Sequence, residues 1–261
     1  MKTDFQNVLV ESEGPISILR LNRPHALNAI DAHTIQELEQ ALLWLEKKPD
    51  LRVLILTGSG DKAFAAGADI RAMKDFSAEK AQHLSQLGQR VFKLIEQFPV
   101  PVIASVFGFV LGGGFEFALA ADFIIAAENT KLGLPEVTLG LIPGFGGTVR
   151  LTQLIGPARS LMMILTGAPV PASRAYELGI VQKVVPVETL LQETKNLAAQ
   201  ISKHSRTALS LAKQSVRFSV DSDSVSSTER ESELFAQAFK HPDSQEGICA
   251  FLEKRPPRWC S

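Results

Sequence analysis

The chain has 261 residues, 45% of them hydrophobic and 21% charged, with a formal net charge of −1. That length supports one large core or two smaller units, and the composition is that of an ordinary soluble globular protein. The charge balance argues against a dedicated nucleic-acid binder, and Cys249 and Cys260, both near the C-terminus, suggest no disulfide framework. A reducing, cytoplasmic setting is expected, because Met1 to Asn7 shows neither an apolar signal core nor an Arg-rich presequence.

In chain order, Ile16 to Leu21 alternates as a strand does, and Asn22-Arg23-Pro24-His25 reads as a turn. Asp31 is placed to cap a helix carrying Ile35, Leu38, Leu42 and Leu45 on one face, ending before Pro49. Val53-Leu54-Ile55-Leu56 is a continuous apolar strand that stops at Gly58-Ser59-Gly60. A glycine-alanine loop is expected over Ala63 to Asp69, then an amphipathic helix over 78–97. Phe98 to Phe115 is an uncharged run of 18 residues, the lower limit for a membrane span. Pro99, Pro101 and Gly112-Gly113-Gly114 argue for a buried strand at Val102–Val106, a turn, and a helix from Gly113 to about Ala121. Asp122 to Ala126 is strand-like again. Beyond Thr148 the pattern is mainly helical, with one strand at Ile180–Val185, and the serine-rich segment Ser219–Ser227 reads as a mobile connector. Buried strands alternating with helices indicate an α/β core, covering residues 1–200, followed by a helical region at 201–261. Phe235, Phe239, Phe251 and Trp259 give that last region an apolar face suited to a neighbouring subunit.

Two carboxylates carry the chemistry. Glu116 closes Gly112-Gly113-Gly114-Phe115-Glu116, and Glu136 ends Lys131-Leu132-Gly133-Leu134-Pro135-Glu136. A charge set in an apolar run needs a partner, and a buried carboxylate has its pKa raised. Two such groups can hold one water or pass one proton. The glycines before Glu116 open a helix, whose free N–H groups favour developing negative charge. Ala65-Ala66-Gly67-Ala68 is a second small-residue loop at a strand end, so the two loops can each supply an N–H to an oxyanion.

Other chemistries find no support. His25, His33, His83, His204 and His241 are scattered without metal-ligand spacing, and no metal site is expected. There is no Gly-x-Ser-x-Gly elbow and no phosphate-binding Gly-x-x-x-x-Gly-Lys-Ser/Thr loop. Gly58-Ser59-Gly60-Asp61-Lys62-Ala63 matches a dinucleotide fingerprint, but a glycine-alanine loop follows where that fold needs a helix.

Phe64-Ala65-Ala66-Gly67-Ala68-Asp69-Ile70, Gly112 to Ala118, Gly133-Leu134-Pro135-Glu136 and Gly140 to Thr148 together resemble the crotonase (enoyl-CoA hydratase/isomerase) superfamily. Asn22-Arg23-Pro24 with Asn28-Ala29, and Phe251 to Arg255, add to a resemblance that spans nearly the whole chain. It implies a crotonase-like ββα spiral core with a helical C-terminal trimerisation region, assembled as a homotrimer or as a hexamer of two trimers. The implied substrate is an acyl-CoA thioester, with coenzyme A part of the substrate and no separate cofactor. The implied activity is hydration of a trans-2-enoyl-CoA to a 3-hydroxyacyl-CoA. The alternatives are an isomerase or another acyl-CoA lyase of the superfamily, or an RNA-binding relative. Glu116 would activate water and Glu136 exchange the proton at C2. The N–H groups of Ala68 and Gly113 would form the oxyanion hole, and the Gly144 N–H would lie near the water. The Ala66 carbonyl and the Ile70 backbone would meet adenine, while Arg71, Lys62 and Lys254 of a neighbouring subunit would lie near the phosphates. Leu134 departs from the common Gln there, and Phe115 and Phe117 are bulkier than the usual neighbours of this glutamate; these departures either reshape the acyl pocket or fill core, and core is the expectation.

Overall fold

The structure is a computed structural model that describes residues 5–260. The expectation drawn from Met1 to Asn7 therefore lies partly outside the described residues. The chain begins with strands β1 (Val8–Glu13) and β2 (Ile16–Leu21), then helix α1 (Ala32–Glu46), with Asp31 accepting from the Thr34 N–H as its cap. Strands β3 (Val53–Gly58) and β4 (Ala63–Ala65) precede the short α2 (Ile70–Met73) and the long α3 (Ala78–Glu96). Next come β5 (Val102–Val106), β6 (Phe109–Leu111), α4 (Gly113–Leu119), β7 (Phe123–Ala127) and β8 (Lys131–Gly133). Helices α5 (Gly147–Ile155) and α6 (Pro157–Thr166), strand β9 (Val170–Pro171), helix α7 (Ala172–Glu177) and strand β10 (Lys183–Val185) follow. The chain closes on α8 (Leu190–Ile201), α9 (Arg206–Asp221), α10 (Ser224–Lys240) and α11 (Pro242–Leu252).

Two sheets organise these elements. The larger has the order β1-β2-β3-β5-β7-β10, antiparallel at β1–β2 and parallel elsewhere. Its central strands are apolar throughout because both faces are covered. On β3, Leu54 and Leu56 point into the main core with Leu38 and Phe92, while Val53 and Ile55 point to the opposite cluster beneath Leu190 and Ala198 of α8. The smaller sheet has the order β4-β6-β8-β9, with β4, β6 and β8 parallel. Its three parallel strands all end at one edge, where ligands of open α/β sheets gather. From that edge β4 runs into the Ala66–Asp69 loop, β6 into Gly112 and α4, and β8 into Pro135 and Glu136.

Several expectations need correction. Ala63 to Ala65 is a strand, not loop, and β1, β6, β8 and β9 were not anticipated. The strand expected at Ile180–Val185 is only Lys183–Val185, and α4 stops at Leu119. The serine-rich connector does not exist as such: α9 reaches Asp221 and α10 starts at Ser224. Asp223 caps α10 by accepting from the Val225 and Ser226 N–H groups. The hydroxyls of Ser227 and Thr228 bond back to the Asp223 and Ser224 carbonyls, so they are satisfied within the helix. The run from Phe98 to Phe115 divides among β5, β6 and the start of α4. Among the described residues no helix is long and apolar enough to cross a membrane.

Candidate active site

The edge of the small sheet opens onto a cleft of about 520 Å³. Ala66, Ala68 and Ile70, Gly113, Glu116 and Glu136, and Ser85, Leu141, Ile142 and Phe145 are among the residues that line it. Both glutamates, both oxyanion candidates, Ala66, Ile70 and Gly144 thus come together. Lys62 and Arg71 are exposed and do not line the cleft, and Lys254 is exposed far along the chain, beyond α11.

The Ala66–Asp69 loop is braced from behind. The Ala66 N–H donates to Leu27 O (3.0 Å), the Ile30 N–H to Gly67 O (2.9 Å) and the Asp69 N–H to Ile30 O (3.0 Å). In extended chain, alternate residues face opposite ways. Ile30 therefore takes the groups of Gly67 and Asp69, and the Ala68 N–H faces away from it with no backbone acceptor among the described residues. Buried Asn28 adds bonds from Nδ2 to Ser59 O and Ala63 O, both 2.9 Å. Arg23 spans Asp31 (3.1 Å) and Asp69 (3.0 Å). The Asn22-Arg23-Pro24 and Asn28-Ala29 motifs thus hold the loop rather than enter the cleft.

Gly112 carries the chain from β6 into α4 at φ 49° and ψ −128°, a region closed to most side chains. A β-carbon there would also lie 3.1 Å from Glu136 Oε1. Gly113 follows as the first helical residue, and its N–H has no backbone acceptor among the described residues. A β-carbon on Gly113 would lie 3.4 Å from Ala68 N, so the backbones of the two oxyanion candidates approach closely. On Gly114 a β-carbon would run into the Ala65 carbonyl, which is why α4 packs so closely on β4.

Glu116 is 1% exposed. Its Oε1 accepts from the Phe145 N–H (2.8 Å) and the Gly147 N–H (2.7 Å). Burial raises its pKa, while those two N–H groups, the Arg150 guanidinium and the Gly144 N–H oppose the rise. Donors of this kind can only serve an acceptor, so they favour the ionised carboxylate. Glu136 differs. Its Oε2 is buried without a hydrogen-bond partner, and desolvation, helped by the nearby Glu116 charge, pushes its pKa up to about 7. Burial thus raises the pKa of both carboxyls, but their surroundings differ: Glu116 has N–H donors on Oε1, and Glu136 has a buried Oε2 with none.

Phe145, Gly147 and Arg150, all on or after the loop before α5, were not singled out from sequence as partners of Glu116. No local signal marks them, because the Phe145 and Gly147 backbone groups and the Arg150 side-chain charge act across a gap of about thirty residues. Phe115, Phe117 and Leu134 are fully buried among core side chains, with Phe117 stacked on Phe64 at 5.7 Å between ring centroids, so they fill core as expected.

The enoyl-CoA hydratase/isomerase family profile matches residues 11–261. The chain belongs to this family. Across 257 residues it is 42% identical to the crotonyl-CoA hydratase of Syntrophomonas wolfei, covering 98% of this chain and 99% of that one. It is 38% identical over 252 residues to the short-chain-enoyl-CoA hydratase of Clostridium acetobutylicum, covering 97% of each. The crystal structure of an enoyl-CoA hydratase from Bacillus anthracis superposes with a TM-score of 0.94 at 37% identity, over 97% of this chain and 99% of that one. The α/β fold with two mixed sheets and a helical C-terminal region is therefore the crotonase fold of this family.

The raised pKa of Glu136 has a consequence for stability. The folded carboxyl binds its proton more tightly than the unfolded one, so the penalty for burying it is absent below about pH 4.5 and grows as pH rises toward 7. Glu136→Gln should melt at a higher temperature than the wild type at alkaline pH, and calorimetry should find that gap closing as the pH is lowered. An unchanged gap across that range would contradict the assigned environment.

Proposed function

We propose that this chain is an enoyl-CoA hydratase, adding water across the double bond of a trans-2-enoyl-CoA to give a 3-hydroxyacyl-CoA. The observation that carries this reading is the pair of carboxyls, Glu116 and Glu136, facing one cleft beside the free N–H groups of Ala68 and Gly113. Moving a double bond along one substrate needs a single group to carry the proton. Hydration needs water activated at one carbon and a proton delivered to the next.

In this account the thioester oxygen lies between the Ala68 and Gly113 N–H groups. Glu116 takes a proton from water as the water oxygen bonds to C3. The C2–C3 π electrons move toward the carbonyl, and enolate charge builds on the thioester oxygen. Fixed N–H donors stabilise that charge more than the neutral ground state. Glu136 then delivers its proton to C2 and the carbonyl re-forms. Transfer of the water-derived proton from Glu116 to Glu136, through solvent, restores the starting state. The Gly144 N–H stands near the same water. The Ala66 carbonyl and the Ile70 backbone are assigned to adenine, supported by their presence in the cleft lining. Lys62, Arg71 and a neighbouring subunit's Lys254 are assigned to the phosphates.

The assembly proposed is a homotrimer, or two trimers in a hexamer, with 1–200 as catalytic core and 201–261 as oligomerisation region. Phe235, Phe239, Phe251 and Leu252 support it, being 57–81% exposed, and a monomer rarely leaves so much apolar surface open. Free Cys249 and Cys260 fit a reducing, cytoplasmic setting.

Glu116→Gln keeps the shape and removes the base, so hydration of crotonyl-CoA should fall by about 10²–10⁴-fold. A folded variant hydrating at the wild-type rate would overturn the hydratase reading. Light scattering on the full chain should return the mass of three or six copies, and a monomer would refute the assembly.

A further inference from the structure

Helix α3 presents Ser85, Gly88, Gln89, Phe92 and Glu96 along one face, at helical spacing. Each touches the segment that holds Glu116. Ser85 Oγ donates to Gly144 O at 2.5 Å, and Gln89 Nε2 donates to the same oxygen at 3.0 Å and to Ser85 Oγ at 3.1 Å. A β-carbon on Gly88 would run into the Phe145 ring, so only glycine lets that ring lie against the helix. Phe92 meets Phe145 edge-on at 5.6 Å. Glu96 accepts from Arg150 Nε at 2.7 Å, and Arg150 Nη1 donates to Phe145 O at 2.6 Å.

The Gly144 carbonyl and the Phe145 N–H are opposite ends of one peptide group. That group is planar and rigid, so fixing the carbonyl fixes the direction of the N–H. Here the N–H points at Glu116 Oε1, 2.8 Å away. A donor on the carbonyl also polarises the amide and strengthens its N–H as a donor. The path runs from the Ser85 hydroxyl, through one peptide, to the carboxylate.

We propose that Ser85, backed by Gln89, is a positioning residue for Glu116 that acts through the Gly144–Phe145 peptide. The inference rests on the reading of Glu116 as the base that activates water. Ser85 itself touches no reacting atom. Its hydroxyl keeps one of the two N–H donors on Oε1 aimed, and so sets both the direction of the free carboxylate oxygen and the pH at which the group ionises. The charged groups facing Glu116 are Arg150 from α5, paired with Glu96 of α3, and Glu136 from the turn after β8. Ser85 and Gln89 are neutral, so replacing them leaves that set of charges in place.

The test uses Ser85→Ala, Ser85→Thr and Gln89→Leu in the full-length protein. The Glu116 δ-carbon is followed by carbon-13 NMR without substrate and assigned with Glu116→Gln. In folded Ser85→Ala the Glu116 titration should move to higher pH, because a weakened N–H favours the carboxylate less. Turnover of crotonyl-CoA should drop by about 10–10²-fold, the scale of a misplaced catalytic group, with little change in KM. The acid limb of the turnover profile should move to higher pH with the titration. Gln89→Leu should do the same more weakly, and Ser85→Thr, which restores the hydroxyl, should return both readouts toward wild type. A Glu116 titration unmoved in folded Ser85→Ala, or moved equally in Ser85→Thr, overturns the proposal. A wild-type protein that fails to hydrate crotonyl-CoA, yet whose Glu116 titration moves in Ser85→Ala, would sink the hydratase reading and support the peptide relay.

Discussion

A carboxylate buried at 1% exposure, with two backbone N–H groups on one of its oxygens, is the arrangement around which the cleft is built. Glu116 cannot occupy that place alone, because an unpaired buried charge is strongly unfavourable. The loop before α5 must therefore lie across it, and that loop must be held in turn. Gly147 has to be glycine, since a β-carbon there would lie 2.9 Å from Glu116 Oε1. Arg150 supplies positive charge without entering the cleft, and Glu96 holds Arg150. Helix α3 closes the far side through Ser85, Gln89 and the Phe92–Phe145 ring contact. Removing any of these loosens the same oxygen.

The small sheet does the complementary work. Three short parallel strands stop at one edge and release the Ala66–Asp69 loop, the Gly112–Gly113 turn and the Pro135–Glu136 turn side by side. The Gly112 N–H bonds to Gly133 O at 2.9 Å, which ties the turn before Glu116 to the strand before Glu136. Two carboxyls far apart in sequence are in this way set against one cleft with different surroundings. One has donors on its oxygen, and the other has a buried oxygen with none. In the proposed hydration, that difference assigns the base role to Glu116 and the acid role to Glu136.

Much of this was legible in the residues. A short apolar run such as Val53 to Leu56, stopped by Gly58-Ser59-Gly60, fits a strand covered on both faces better than a helix, and glycines ahead of a lone glutamate point to backbone approaching a charge. The small sheet was not legible, because strands of three residues are too short to show any period. Ala63 to Ala65 looks like loop for that reason alone. Ser85 and Gln89 look like an ordinary solvated helix face, and their partner Gly144 lies 55–59 residues away with only its carbonyl to offer. The Ser219–Ser227 segment misled because serine is read as a loop former, whereas here hydroxyls bond back to helix carbonyls and Asp223 starts the next helix.

The division of labour between the two carboxyls is the centre of the account. It is tested most directly by exchange of the C2 protons of a saturated thioester, butyryl-CoA, in deuterated water, where no hydration can occur. Nuclear magnetic resonance of the thioester after incubation with each variant reports the exchange. Glu116→Gln should still exchange C2 protons while Glu136→Gln should not. Exchange retained by Glu136→Gln and lost in Glu116→Gln would reverse the assigned roles and contradict it.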